Sequence, residues 1–89
     1  MKNQIKQLPP MEEQVKMYKK VGDDHYNGIV RCCIEVFYDS IKFDIARAII
    51  DGYSDEEINN IIDRSLLDMH QHITRYKDNI DDPSFYVLP

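Results

Sequence analysis

Apolar side chains recur along this chain with the period of about 3.6 residues that is typical of amphipathic α-helices, and the period-two alternation of β-strands is absent. A first helix is predicted to begin at the prolines 9–10, because proline suits the first turn of a helix, and to end at Gly22. It places Met11, Val15 and Tyr18 on one face. That face is the predicted contact with the rest of the protein.

The middle of the chain is predicted to form two helices. The first can begin with Asp23 or Asp24 as its N-cap and extends toward Tyr38. A break or kink is predicted at residues 39–40, where the polar stripe changes phase, and the next helix covers about 41–51. The stripe consists of Arg31, Glu35, Asp39 and Lys42 before the break, and of Asp44, Arg47 and Asp51 after it.

The last helix is the longest one predicted. Gly52 ends the preceding helix, and Ser54 with Glu57 forms a capping box, in which each side chain satisfies a backbone amide of the first turn. Helical spacing then continues over about 54–80, or roughly 39 Å at 1.5 Å per residue. The expected fold is therefore an all-α bundle of three to four helices with a long C-terminal helix. An apolar tail, residues 83–89, is expected to pack on this bundle, and a docking peptide is the alternative.

The segment from Ile29 to Ile41 is apolar around most of its circumference. Such a helix is normally buried on most sides, and a monomer of 89 residues can enclose only part of one. We therefore expect a homodimer. The expected oligomer interface is formed by Ile34, Phe37, Tyr38 and Ile41.

Composition indicates one soluble globular domain over residues 1–89, because 43% apolar and 30% charged residues suffice for a core and a solvated surface. No apolar run approaches the ~20 residues of a membrane span, and the N-terminus lacks the apolar stretch of a secretory signal. We expect a cytoplasmic protein without a membrane partner. Twelve isoleucines against two alanines suggest an AT-rich genome, such as that of a low-GC bacterium or its phage.

Charge is divided unevenly along the chain. Residues 1–22 carry a net charge of +3 and residues 23–89 a net charge of −8, which gives the total of −5. Residues 1–9 are expected to be a flexible basic arm on an acidic body. A net anionic surface repels the phosphate backbone, so nucleic acid is not the expected partner.

Residue types for catalysis or metal binding are present only singly or in pairs. Cys32 and Cys33 are adjacent in an apolar stretch, which predicts buried free thiols instead of a disulfide or zinc site. Asp68 and His72 are four residues apart, but a metal needs three or four convergent ligands. The chain also lacks a nucleophile elbow, a phosphate loop and a dinucleotide fingerprint. We expect no enzymatic activity, no cofactor and no metal.

Residues 44–63 resemble the two-helix core of bacterial helix-turn-helix regulators. Ala48 takes the small-residue position of that pattern, Gly52 the turn glycine, and Ile58 and Ile61 two core aliphatic positions. The resemblance implies a helix-turn-helix-like corner. It also implies a dimeric DNA-binding regulator as the alternative function, with the basic arm on phosphate.

The exposed positions after the turn depart from DNA-binding helices, because carboxylates at the front of a groove-entering helix meet phosphates with the wrong sign. The predicted function is therefore a small acidic protein-binding regulator or inhibitor, of the kind that phages and mobile elements encode to block a host protein complex. An acidic face that imitates DNA is a further alternative. The predicted partner-binding residues are Asp55, Glu56, Asn59, Asn60 and Asp63.

Overall fold

The computed structural model describes residues 4–18 and 24–78, and this part of the chain is helical without strands. The helices are α1 (Met11–Met17), α2 (Asp24–Ile50) and α3 (Asp55–Asp78). The predicted all-α class is confirmed, while the tail 83–89 lies outside the described residues. None of the described helices is long and apolar enough to cross a membrane.

The predicted break at residues 39–40 is wrong, because α2 continues through them for 27 residues. Asp39 and Ser40 are exposed mid-helix positions. The two polar stripes lie on opposite flanks of one continuous helix, and apolar side chains lie exposed between them. The change of phase therefore marks a change of flank. The described residues contain three helices, where the sequence predicted three to four.

The turn between α2 and α3 has the predicted chemistry. Gly52 has φ of +83°, a left-handed conformation that glycine adopts without steric cost. The Glu57 amide donates to Ser54 Oγ at 3.1 Å, and the Ser54 amide donates to Glu57 Oε1 at 3.3 Å. The capping box is confirmed, and it fixes where α3 begins.

Helices α2 and α3 run antiparallel along their lengths. Tyr26 near the start of α2 contacts Tyr76 near the end of α3, with ring centroids 5.5 Å apart. A helix-turn-helix unit instead sets its helices at about 90–120°. The predicted helix-turn-helix-like corner is therefore an αα-hairpin with a tight turn. A buried cluster beside that turn joins the two helices; it consists of Ile41, Ala48, Ile58 and Ile62.

The short helix α1 packs on the open end of the hairpin, against the N-terminal half of α2 and the C-terminal half of α3. Val15 and Tyr18 are buried there as predicted, and Met11 is partly buried against the same cluster. Arg31 of α2 donates to both carboxylate oxygens of Glu12 in α1, at 2.5 and 2.8 Å. This small helix thereby covers one flank of α2.

The residues predicted for the oligomer interface are largely core residues of the single chain. Ile34 and Ile41 are at most 1% exposed, Tyr38 is 6% exposed, and Phe37 is half-buried. Their burial against α1 and α3 requires no second chain. These residues are buried within one chain because a continuous α2 that is covered on two sides encloses more apolar surface than two shorter helices would.

Candidate protein-binding surface

Five polar residues at the start of α3 form the acidic corner: Asp55, Glu56, Asn59, Asn60 and Asp63. The acids lie in the first turns of the helix, where the positive end of the macrodipole favours negative charge. Three members are exposed, and the other two are half-buried. The sequence placed these residues together correctly, because helical spacing and the capping box define this turn.

Two of the five residues of the acidic corner bind another part of the same chain. Residues 4–10, here called the N-terminal segment, form neither helix nor strand and contact both α3 and α2. The Asn59 side chain accepts from the Lys6 amide at 2.7 Å and donates to the Gln4 carbonyl at 2.8 Å. Lys6 Nζ reaches both carboxylate oxygens of Asp63, at 2.8 and 2.9 Å. These two residues of α3 therefore bind the backbone and side chain of an extended peptide.

The remaining contacts of the N-terminal segment are apolar or involve its backbone. Ile5 and Leu8 pack partly buried against the cluster beside the turn, and Leu8 also contacts the cluster around α1. The Tyr38 hydroxyl donates to the Pro9 carbonyl at 2.6 Å. The expected flexible arm, residues 1–9, is therefore docked over its described part, because two apolar side chains leave water by packing there.

The ion pair in this contact contributes little to its strength. The Lys6 and Asp63 side chains are about half exposed, at 53% and 52%. Exposed pairs of this kind are worth about 0–1 kcal/mol, since both charges stay solvated and two long side chains lose freedom. The apolar contacts and the hydrogen bonds of Asn59 therefore supply most of the attraction, while the charges determine which side chain fits.

The other members of the acidic corner have no partner in the described part of the chain. The side chains of Asp55, Glu56 and Asn60 make neither hydrogen bonds nor ion pairs with any described residue. They adjoin Asn59 and Asp63 on the same turns of α3. Three further polar side chains thus lie beside the two that bind the N-terminal segment.

The described residues contain no group of three His, Cys, Asp or Glu side chains placed to hold a metal ion.

The Tyr18 hydroxyl hydrogen-bonds with His70 Nδ1, which joins the end of α1 to α3. Burial raises the pKa of Tyr18, so the phenol stays neutral at physiological pH and acts as a tether between helices. No local pattern predicts this contact, because the two residues are 52 positions apart.

The two cysteine thiols are less buried than the sequence predicts. Both cysteines are free, but Cys32 is exposed and Cys33 is only partly buried. Burial, with a smaller contribution from Cys32, raises the pKa of the Cys33 thiol and lowers its reactivity. Cys32 was placed in the core wrongly, because its apolar neighbours in sequence lie on more than one face of α2.

A second surface of the structure was missed by the sequence prediction. The α2 row consists of exposed small and apolar residues opposite the core: Cys32, Val36, Phe43, Ala46 and Ile50. Its three large members are 65%, 66% and 81% exposed. Their spacing of seven residues was the signal available, but apolar residues on a short chain were read as buried.

Searches for similarity found no match among protein-family models, curated proteins or solved structures.

Proposed function

We propose that this protein is a small, acidic, non-enzymatic regulator that binds another protein stoichiometrically, as an inhibitor or adaptor. The observation that carries the proposal is the docking of the N-terminal segment on the acidic corner. The same side chains that hold Lys6 and its backbone in this chain can hold an equivalent segment of another. The proposed partner presents an extended stretch with a lysine or arginine next to apolar residues.

The chemistry of the corner supports a protein ligand. Asn59 offers both a donor and an acceptor to peptide groups, so it recognises extended backbone irrespective of side chains. Asp63 adds a preference for a cation, and Asp55 and Glu56 extend the negative surface. Complementary charge accelerates encounter and disfavours acidic competitors, while the backbone and apolar contacts supply affinity.

The alternative, a DNA-binding regulator, has less support. Its basic arm was expected to contact phosphate, but the described part of that arm is bound to α3, with Lys6 neutralised by Asp63. The carboxylates at the start of α3 would face the phosphate backbone with like charge. Fluorescence anisotropy with a mixed duplex across a salt series separates the two functions. A DNA binder shows affinity that falls steeply with salt, whereas we expect no binding at physiological salt.

The proposed function is tested by affinity capture from the native host, with quantitative mass spectrometry of the recovered proteins. The variant Asp55→Ser/Glu56→Ser/Asn60→Ser removes the free members of the corner and spares both the capping box and the N-terminal segment. A control variant, Glu13→Ser/Asp44→Ser/Asp68→Ser, removes exposed acids elsewhere.

We expect wild type and control to recover the same partner, and the corner variant to recover at most about a tenth as much, a loss equivalent to ~1.4 kcal/mol. Circular dichroism should show equal helicity for all three proteins. Equal recovery by the corner variant would contradict a partner site at the acidic corner.

A further inference from the structure

The α2 row has the spacing of a coiled-coil seam. Positions 32, 36, 39, 43, 46 and 50 alternate by three and four residues, as the a and d positions of heptads do. Five of these six positions belong to the row, and Asp39 is the exception. A helix of 27 residues that is covered on one side by core contacts thus carries a second, regular apolar seam on the other side.

The seam is accessible over its full length in the described structure. It extends about 27 Å from Cys32 to Ile50, at 1.5 Å per residue. The buried residues of α2, among them Ile34 and Ile41, lie on the opposite face, where α3 packs. A second helix can therefore lie along the seam without any rearrangement of the core.

We propose that a second copy of this chain covers the α2 row, with the two α2 helices antiparallel about a two-fold axis near residues 39–40. A two-fold interface uses the same surface on both copies, so a self-complementary seam suffices to form it. This surface is separate from the acidic corner, and the proposal goes beyond the protein-binding function given above.

The charges beside the seam favour the antiparallel orientation. In a parallel pair, Lys42 would lie beside Arg47 of the partner subunit, as flanking positions of parallel heptads do, whereas Asp39 lies near Asp39 of the partner subunit in either orientation. In the antiparallel pair, Val36 is level with Phe43 of the partner subunit. Lys42 then lies between Glu35 of the partner subunit and Asp39 of the partner subunit. At Lys42 a neighbour of like charge is thereby exchanged for neighbours of opposite charge.

Sedimentation velocity of the full-length protein tests the association. We expect wild type to be dimeric at micromolar concentration, and Phe43→Asp to weaken the dimer at least about a hundredfold, because an apolar contact becomes a desolvated carboxylate. Phe43 is 66% exposed in the single chain, so this substitution leaves the fold intact. The matched control is Leu67→Asp, which alters an apolar residue of α3 that is 53% exposed and off the seam.

The control should remain dimeric. A wild-type protein that is monomeric throughout a micromolar dilution series would overturn the proposal. So would a dimer that survives Phe43→Asp, because the second copy would then cover another face.

Disulfide trapping tests the orientation. Helix geometry brings Cys32 of one copy beside position 46 of the other only in the antiparallel pair. In a Cys33→Ser background, mild oxidation of the Ala46→Cys variant should give a covalent dimer linked from position 32 to position 46, as mapped by peptide mass spectrometry. A link from Cys32 to Cys32 would indicate the parallel pair, and a dimer without a 32–46 link would equally overturn the antiparallel arrangement. Partner capture by the acidic corner is unaffected by either result.

Discussion

Three residues at the α2–α3 turn show how closely local chemistry fixes this structure. Gly52 supplies the left-handed conformation, and Ser54 and Glu57 satisfy each other's backbone amides. Each requirement is met within a few residues of sequence. The sequence alone therefore predicts the turn, and it locates the first residue of α3 to within one position.

Removing the cap should destabilise the protein measurably. Ser54→Ala leaves the Glu57 amide without its side-chain acceptor, which typically costs ~1 kcal/mol. For a chain of this size we expect the melting temperature to fall by roughly 4–8 °C in calorimetry or circular dichroism. Glu56→Gln, which leaves the box intact, should change it far less. Equal melting temperatures for Ser54→Ala and wild type would mean that the cap is not formed in solution.

The ion pair between α1 and α2 gives a pH dependence of known sign. Hydrogen bonds from Arg31 hold the pKa of Glu12 below its ordinary value of 4.5. Because the folded-state pKa is the lower one, the stabilisation is fully present above the unfolded pKa and is lost as the pH falls through the folded value. An NMR titration of the Glu12 carboxyl should show the lowered pKa, and Arg31→Gln should return it to the ordinary range. An unchanged titration in the variant would contradict the pair.

At the scale of the elements, helical periodicity located the helices but misread α2. Apolar periodicity indicates burial only when the apolar side chains face the core, but Val36, Phe43 and Ile50 of α2 are exposed. The polar stripe changes flank at residues 39–40, and this change predicted a break that the helix does not have. The docking of the N-terminal segment had no local signal either, since Lys6 and Asp63 are 57 positions apart.

A substitution at Ser40 distinguishes a continuous α2 from two capped helices. Within a continuous helix, Ser40→Ala replaces an exposed residue by a better helix former, so the stability should stay the same or rise by a few tenths of a kcal/mol. At an N-cap the same substitution would cost ~1 kcal/mol. Urea unfolding of variant and wild type decides between them. A loss of ~1 kcal/mol in the variant would instead indicate a helix break with Ser40 as N-cap.

On the scale of the whole molecule, the three helices present two surfaces with different chemistry. The acidic corner is polar and partly binds the N-terminal segment, whereas the α2 row is apolar and lies on the side of α2 that faces away from α3. Residues 23–89 carry a net charge of −8, and this favours cationic segments near the corner. Two surfaces that face different ways allow one protein to pair with itself and with a partner at once.

The central claim is that the acidic corner recognises a lysine-bearing extended peptide. It is tested most directly by fluorescence anisotropy with a labelled peptide of residues 2–10, KNQIKQLPP, added to the full-length Lys6→Glu variant. That variant weakens its own segment by repulsion from Asp63 and leaves the corner available. We expect saturable binding that weakens by up to about fivefold when Asp63→Asn is added, since the exposed ion pair is worth about 0–1 kcal/mol, and that is unchanged by Asp44→Asn. Absence of binding, or equal binding with and without Asp63→Asn, would contradict the claim.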